Sequence, residues 1–404
     1  MIRSRKAARI LAPLFDTRDH RLVLIVAGEA SADLHGSNLV KALKRSEPDI
    51  AFWGIGGGNM AQAGVRILVS SSDMAVVGLT EVLHRLRTIV KAANTMKSAL
   101  KNLHPDLLIL IDYPDFNLYL ARIAKRLGIP VLYYISPQVW AWRRGRVKKI
   151  ARRVDRMAVI LPFEESFYRE QGLKVDYVGH PLLDEFESKV RDRIPLGGSP
   201  TEGPAPQSET AIHHPVVGLL PGSRRDEIRN LLPVMIRSVE ILKTRYPHIR
   251  CLLPLAKTIE REYVETFVRE TPMNIEIEQS DVYRTLGRCH VALVASGTAT
   301  LDTAIMGIPM VVVYKVAPFS YWLGRMLIKV PYIGLVNLVA GERVVPELIQ
   351  GDVTPDRLAN EVLALLEDEG TRKTMIARLK GIQKDLGKGG ASEKVARIAI
   401  EMME

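Results

Sequence analysis

At 404 residues the chain is too long for one ordinary hydrophobic core, and two domains are expected. Its composition, 47% hydrophobic and 25% charged, is that of a soluble globular protein; no apolar run approaches the roughly 20 residues that span a bilayer. Cys251 and Cys289 form no CxxC, which argues against a disulfide framework and fits a reducing, cytoplasmic compartment, while the net charge of +11 calls for an anionic partner.

Residues 1–20 are basic and then briefly apolar, too short and Pro-broken at Ile10–Phe15 for a signal-peptide core, and read as a disordered extension. From Arg21 to residue 190, short apolar runs alternate with helical patterns. The strand-like runs are 22–27, 50–55, 106–112, 131–136, 156–161 and 175–180; helical periodicity covers Asp33–Arg45, Glu81–Leu103 and Phe116–Leu127. A Pro-, Gly- and Ser-rich linker follows over 191–214. A second domain, 215–385, restarts the alternation with strands at 216–221, 249–255, 273–278, 290–295 and 309–314, then helices from Pro355 and Thr371. A C-terminal helix closes the chain over 386–404. The pattern predicts an α/β protein of two Rossmann-like, doubly wound domains facing an inter-domain cleft, with ligands at the carboxyl ends of strands.

Several signatures are absent. There is no GxxxxGK[ST], no HExxH, no GxSxG elbow and no DxD, so neither a Walker loop nor a DxD-held metal is expected. GIGGGNMAQAG (54–64) fails GxGxxG at Asn59 and reads as a tight strand-to-helix turn.

Four phrases leave strands toward helices. In VAGEASADLHG (26–36), Gly28, Ser31 and Asp33 supply a turn, a cap and a first-turn acid, or else line the cleft. In IDYPDFN (111–117), Asp115 could cap the next helix. Asp112 and Asp115 together are more than a cap requires, and a partly desolvated carboxylate there suits a general base. LLPGSR (219–224) opens a helix N-terminus with Gly222, Ser223 and Arg224, and ASGTATLD (295–302) opens another with Ser296, Gly297 and Thr298 and with Asp302 one turn in. Together these would form a metal-free diphosphate cradle, Asp302 reaching ribose hydroxyls. His180, in VGHP, reads first as a packed histidine and second as a cleft residue. The block Trp140–Arg156 concentrates positive charge, Arg143 and Arg144 included, and marks an interaction surface. It lacks interleaved aromatics after Trp142, and no nucleic-acid-binding module accompanies it, so nucleic acid is not an expected partner.

At these phrases the chain resembles the lipid-A-disaccharide synthases. VAGEASADLHG, GIGGGNM, AVVGLTEVL, DYPDFN, YYISPQVWAWRRGRVKKI, LPFEESFY, YVGHPLLD, LLPGSR, ASGTATLD and GLVNLVAGERVVPEL carry the likeness in order from Leu22 to Leu348. The resemblance implies a GT-B fold and metal-independent inverting transfer of 2,3-diacylglucosamine from its UDP conjugate. The acceptor would be 2,3-diacylglucosamine 1-phosphate (lipid X), the bond β(1→6) and the other product UDP, with no cofactor. It also implies catalytic roles for Asp115, Arg224 and Asn337. Ala32 stands where the family usually has Gly, and Asp302 where it usually has Glu. With acylated substrates, the enzyme is expected to touch the anionic cytoplasmic face of the inner membrane without spanning it, through Met74–Leu83, 319–330 or the arginine-rich helix; a homodimer is allowed. A UDP-sugar 2-epimerase, or a GT-B transferase for a soluble acceptor, is the alternative, though neither needs the basic-aromatic block.

Overall fold

The apolar runs fold as two all-parallel sheets because their residues are apolar on both pleat faces, so both faces must be covered. The computed structural model describes residues 21–74, 82–142, 144–191, 212–256, 258–279, 281–317, 321–322 and 330–404. The N-terminal extension, nearly all of the linker, Arg143 and most of two candidate membrane segments (75–81; 319–320 and 323–329) lie outside them.

In the first sheet, Leu22–Ala27 (β1), Ala51–Gly56 (β2), Val65–Ser70 (β3), Leu107–Ile111 (β4), Val131–Tyr134 (β5), Arg156–Val159 (β6) and Val175–Tyr177 (β7) lie in the order β3-β2-β1-β4-β5-β6-β7. Leu24, Val26, Leu108, Leu110 and Tyr133 pack on one face, and Val23, Ile25, Ile109, Ile111 and Tyr134 on the other. In the second, Val216–Leu220 (β8), Arg250–Pro254 (β9), Ile275–Glu278 (β10), Val291–Ala295 (β11), Met310–Tyr314 (β12) and Glu347–Ile349 (β13) lie in the order β10-β9-β8-β11-β12-β13. Strands β3 and β13 are additions to the sequence reading. The first is a sheet-edge strand, mostly half-buried, and the second has three residues, so neither shows a long apolar run.

Chain contacts divide the protein into two units, Met1–Asp184 with Lys388–Glu404, and Glu185–Gly387. The C-terminal helix Ala391–Met403 thus completes the first unit. It lies against the helix Ala30–Ser46, and Val395, Ala396, Ile398 and Ala399 join the core on one face of the first sheet. The Asp184 carboxylate accepts from the amides of Gly390, Ala391 and Ser392 at 2.6, 3.3 and 3.3 Å, and so caps this helix.

Each sheet reverses strand order once, between β1 and β4 and between β8 and β11, and doubly wound sheets bind ligands outside the carboxyl ends of strands at that point. The register pairs Ala27 with Ile111 and Leu220 with Val294. All four phrases therefore emerge at the two switch points: Gly28 beside Asp112 in one unit, Pro221 beside Ala295 in the other.

Candidate active site

At the first switch point the chain leaves β4 through two consecutive left-handed residues, Asp112 (φ +47°) and Tyr113 (φ +49°). Such non-glycine residues cost about 1–3 kcal/mol each and persist only where the surroundings enforce them. Here they do. The Asn117 side-chain amide donates to the carbonyls of Ile111 (3.1 Å) and Asp112, and the Tyr133 hydroxyl donates to the Asp112 carbonyl at 2.6 Å. Gly28 leaves room for the Tyr113 ring, since a Cβ there would lie 2.7 Å from Tyr113 Cγ.

The two carboxylates then differ in setting. Burial, with the Glu29 charge adding, raises the Asp112 carboxyl to about 6, against a lowering by the Tyr113 amide. It is ionised at neutral pH but basic enough to take a proton. Asp115 lies in the first turn of the helix Pro114–Arg126, whose N-cap is Tyr113 with no side-chain cap bond, so capping does not explain it. Its side chain is 77% exposed and pairs with Arg146 Nη1 at 2.6 Å.

A raised carboxyl pKa opposes folding wherever the group is charged. Below about pH 3, Asp112 is protonated in both folded and unfolded chains and has almost no effect. As pH climbs through 6, the cost of burying its charge grows to its full value. Asp112→Asn, which also tolerates a left-handed backbone, is therefore expected to stabilise the protein at pH 7.5 by about 1–2 kcal/mol, with the gain nearly gone by about pH 3. Melting temperatures at the two pH values check this; an equal shift at both would refute it.

Among the other first-unit candidates, Asp33 and His180 have framework partners. Asp33 is buried and does not cap its own helix. Its carboxylate accepts from the amides of Gly57 (2.6 Å), Asn59 (3.0 Å) and Met60 (3.1 Å) and from the Asn59 side chain, fastening the β2 turn GIGGGNM. Ser31 is exposed, one residue inside the helix that starts at Ala30. His180 is buried, its pKa pushed down to about 3 by desolvation, and its Nδ1 accepts from the Leu182 amide. That matches the packed reading. Arg144 begins a short 3-10 turn ending at Arg146.

Behind this rim, Glu164 is 2% exposed, and its carboxylate accepts from Ser136 Oγ (2.6 Å), Trp140 Nε1 (2.9 Å) and the Leu161 amide (3.0 Å). Burial raises its pKa, with these bonds opposing. Glu164 thereby ties the SPQVWAW loop to LPFEESFY.

In the second unit Arg224 is the N-cap of the helix Arg225–Leu242, its side chain 79% exposed. The amides of Ser223 and Arg224 both donate to Glu227 Oε2, at 2.9 and 3.2 Å, so a carboxylate of the chain itself sits where amides converge. Gly222 (φ +111°) makes the turn possible, since a Cβ there would lie 2.2 Å from that oxygen. At β11, the Ser296 hydroxyl donates to the Ile333 carbonyl (2.8 Å), Gly297 has φ +151° with open space where a Cβ would go, and Thr298 is exposed.

Asp302 Oδ1 accepts from the Tyr283 hydroxyl at 2.7 Å, and burial raises its pKa to about 6. Lys189 lies over the Tyr283 ring at 5.1 Å and 3.4 Å from Asp281. Asn337 is fully buried. Its Nδ2 donates to the Val345 carbonyl (2.9 Å) and Glu347 Oε1 (2.8 Å), and its Oδ1 accepts from the amides of Val344 (2.8 Å) and Val345 (3.0 Å). With four bonds made, it shapes the loop before β13.

Sequence reasoning passed over Asn117, Glu164, Glu227, Tyr283 and Glu347. The available signal was a polar residue at a helix's apolar position, as with Asn117 and Glu164; nothing local announced their distant partners.

The family model for lipid-A-disaccharide synthetase matches residues 23–399. The chain is 48% identical to the lipid-A-disaccharide synthase of Geobacter metallireducens, covering 96% of this chain and 98% of that one, and 47% identical to that of Syntrophus aciditrophicus, covering 95% and 98%. Among solved structures, it resembles the UDP-GlcNAc 2-epimerase of Neisseria meningitidis (TM-score 0.64, 12% identity, 94% and 100% covered) and MurG of Acinetobacter baumannii (TM-score 0.55, 13% identity, 95% and 99% covered). Identities that low speak for the fold alone. The architecture is GT-B, and no helix among the described residues is long and apolar enough to cross a membrane. With near-full-length identity approaching one half, and with the motifs at both switch points, the chain belongs to the lipid-A-disaccharide synthase family, glycosyltransferases of lipid A synthesis.

Proposed function

We propose that the chain joins 2,3-diacylglucosamine, donated by its UDP conjugate, to 2,3-diacylglucosamine 1-phosphate. The acceptor 6-hydroxyl attacks the anomeric carbon, the bond from that carbon to the diphosphate oxygen breaks, and UDP leaves with the electron pair. Asp115 takes the hydroxyl proton. One displacement inverts the centre and gives the β(1→6) bond. Arg224, with the Gly222-Ser223 turn and the Ser296–Thr298 segment, meets the charge building on UDP, without a metal. Asp302 faces the ribose side; Asn337 acts by positioning the segment that leads into β13. Gly28, Ser31 and Asp112 border the acceptor, Asp33 and His180 shape its loops, and Arg143 and Arg144 attract its phosphate.

The observation that carries this reading is the convergence of the Ser223 and Arg224 amides on the Glu227 carboxylate, with the Arg224 guanidinium exposed beside it. A turn that gathers an anion from its own chain in this way is suited to a phosphate oxygen. Both substrates carry acyl chains and the chain carries a charge of +11, which supports peripheral contact with the anionic cytoplasmic face of the inner membrane.

The test incubates the purified protein with UDP-diacylglucosamine and the 1-phosphate acceptor, with and without excess EDTA, and weighs the product. A tetraacyl disaccharide 1-phosphate and UDP are expected in both arms. Activity lost to EDTA and restored by magnesium or manganese would overturn the metal-free step. Epimerised UDP-sugar without disaccharide would point to the chemistry of the epimerase relatives.

A further inference from the structure

We propose that Asn117, with the Tyr133 hydroxyl and the bare Cα of Gly28, is a positioning clamp for the reaction: it holds the Asp112-Tyr113 turn left-handed and so aims the Asp112 and Asp115 carboxylates. This rests on the reading that those carboxylates serve the transfer.

Asn117 lies on the buried side of the helix Pro114–Arg126, at 0% exposure, where an apolar residue would serve packing and helix propensity better. Its two N–H groups instead bracket two successive carbonyls, of Ile111 and Asp112. One amide can do that only if both carbonyls point the same way. A helical-type conformation at Asp112, right- or left-handed, aligns them; an extended residue would turn them apart. The bracket therefore excludes an extended Asp112 and holds the residue in a helical-type conformation, here the left-handed one.

The cost is visible on the other side of the amide. Asn117 Oδ1 is buried without a hydrogen-bond partner, while the Tyr133 hydroxyl donates to the Asp112 carbonyl. A buried amide kept at that cost, in a residue making no contact with an exposed surface, is explained by the turn it holds. Gly28 closes the third side, since any side chain would push against the Tyr113 ring. The groups facing the Asp112 carboxylate are Glu29 from the β1 turn and Tyr133 from β5, with Asp115 and its partner Arg146 further along the rim.

The experiment compares Asn117→Ala, Tyr133→Phe and the parent enzyme by two measurements. The first is steady-state disaccharide formation per folded molecule. The second is the Asp112 carboxyl titration, followed by carbon-13 NMR of aspartate-labelled protein. Turnover is expected to fall on the order of 10- to 100-fold in Asn117→Ala and less in Tyr133→Phe, with KM for the UDP donor within about twofold of the parent. The Asp112 titration should move from near 6 down toward about 4 as the turn relaxes and water reaches the carboxylate. Should Asn117→Ala fail to fold, Tyr133→Phe carries both measurements. Folded variants with parental turnover and an unmoved titration overturn the clamp. A parent that makes no disaccharide overturns the proposed function, and the titration still decides the clamp.

Discussion

Replacing Asp115 with asparagine is expected to cut turnover by about 10²-fold or more while leaving the fold and UDP binding intact. The structure removes the ordinary explanation of this residue. Asp115 makes no cap bond, its side chain is 77% exposed, and it pairs with Arg146 at 2.6 Å. An exposed ion pair of that kind is worth about 1 kcal/mol or less, so the substitution should barely move the melting temperature. A large loss of turnover would then be chemical: the acceptor hydroxyl would have lost the group that takes its proton. Melting temperature, UDP affinity and turnover measured on one preparation separate the cases. Turnover within a few-fold of the parent would remove Asp115 from the mechanism and move attention to Asp112, whose carboxyl is raised to about 6.

The second large effect belongs to Arg224. A cation at a helix N-terminus opposes the helix dipole, and its contact with Glu227 is long, 3.6 Å, with the arginine exposed. Folding gains little from it. Arg224→Ala should therefore leave the melting temperature unchanged or slightly higher. If Arg224 meets the departing diphosphate, the same variant should lose on the order of 10²–10³ in turnover, the scale of one charge-assisted contact to a developing anion. UDP affinity should weaken but survive, because amides and dipole remain. Arg224→Lys keeps the charge without the planar fork and should recover only part of the rate. Unchanged turnover in Arg224→Ala would reduce the phrase to a turn.

Much of this molecule is legible in the sequence for plain physical reasons. A central parallel strand is buried on both faces, so LVLIVA, DLLILID and HVALVA read as unbroken apolar runs, and the spacing between them leaves room for a helix each time. Strand-end phrases with Gly, Ser and Asp mark where such a sheet exposes backbone, and they fall at the two switch points. Of the four edge strands, β7 and β10 are legible in the sequence, whereas β3 and β13 escaped notice: β3 is mostly half-buried and β13 spans three residues. The C-terminal helix showed its periodicity but not its neighbours.

By itself, then, the sequence determined the two doubly wound sheets, the loops that carry the candidate chemistry and the family likeness, because hydrophobic period and turn composition are local properties. Tertiary structure alone decided what each polar side chain does. Asp33 serves a turn more than twenty residues on, Asp184 caps a helix from the far end of the chain, and Asn337, in the helix Leu335–Ala340, is fully occupied by Val344, Val345 and Glu347. The left-handed Asp112-Tyr113 turn exists only because Gly28, Asn117 and Tyr133, from three different elements, meet around it. A hydrogen bond or a packed ring depends on positions in space, and residues far apart in the chain acquire those only once the sheet has formed.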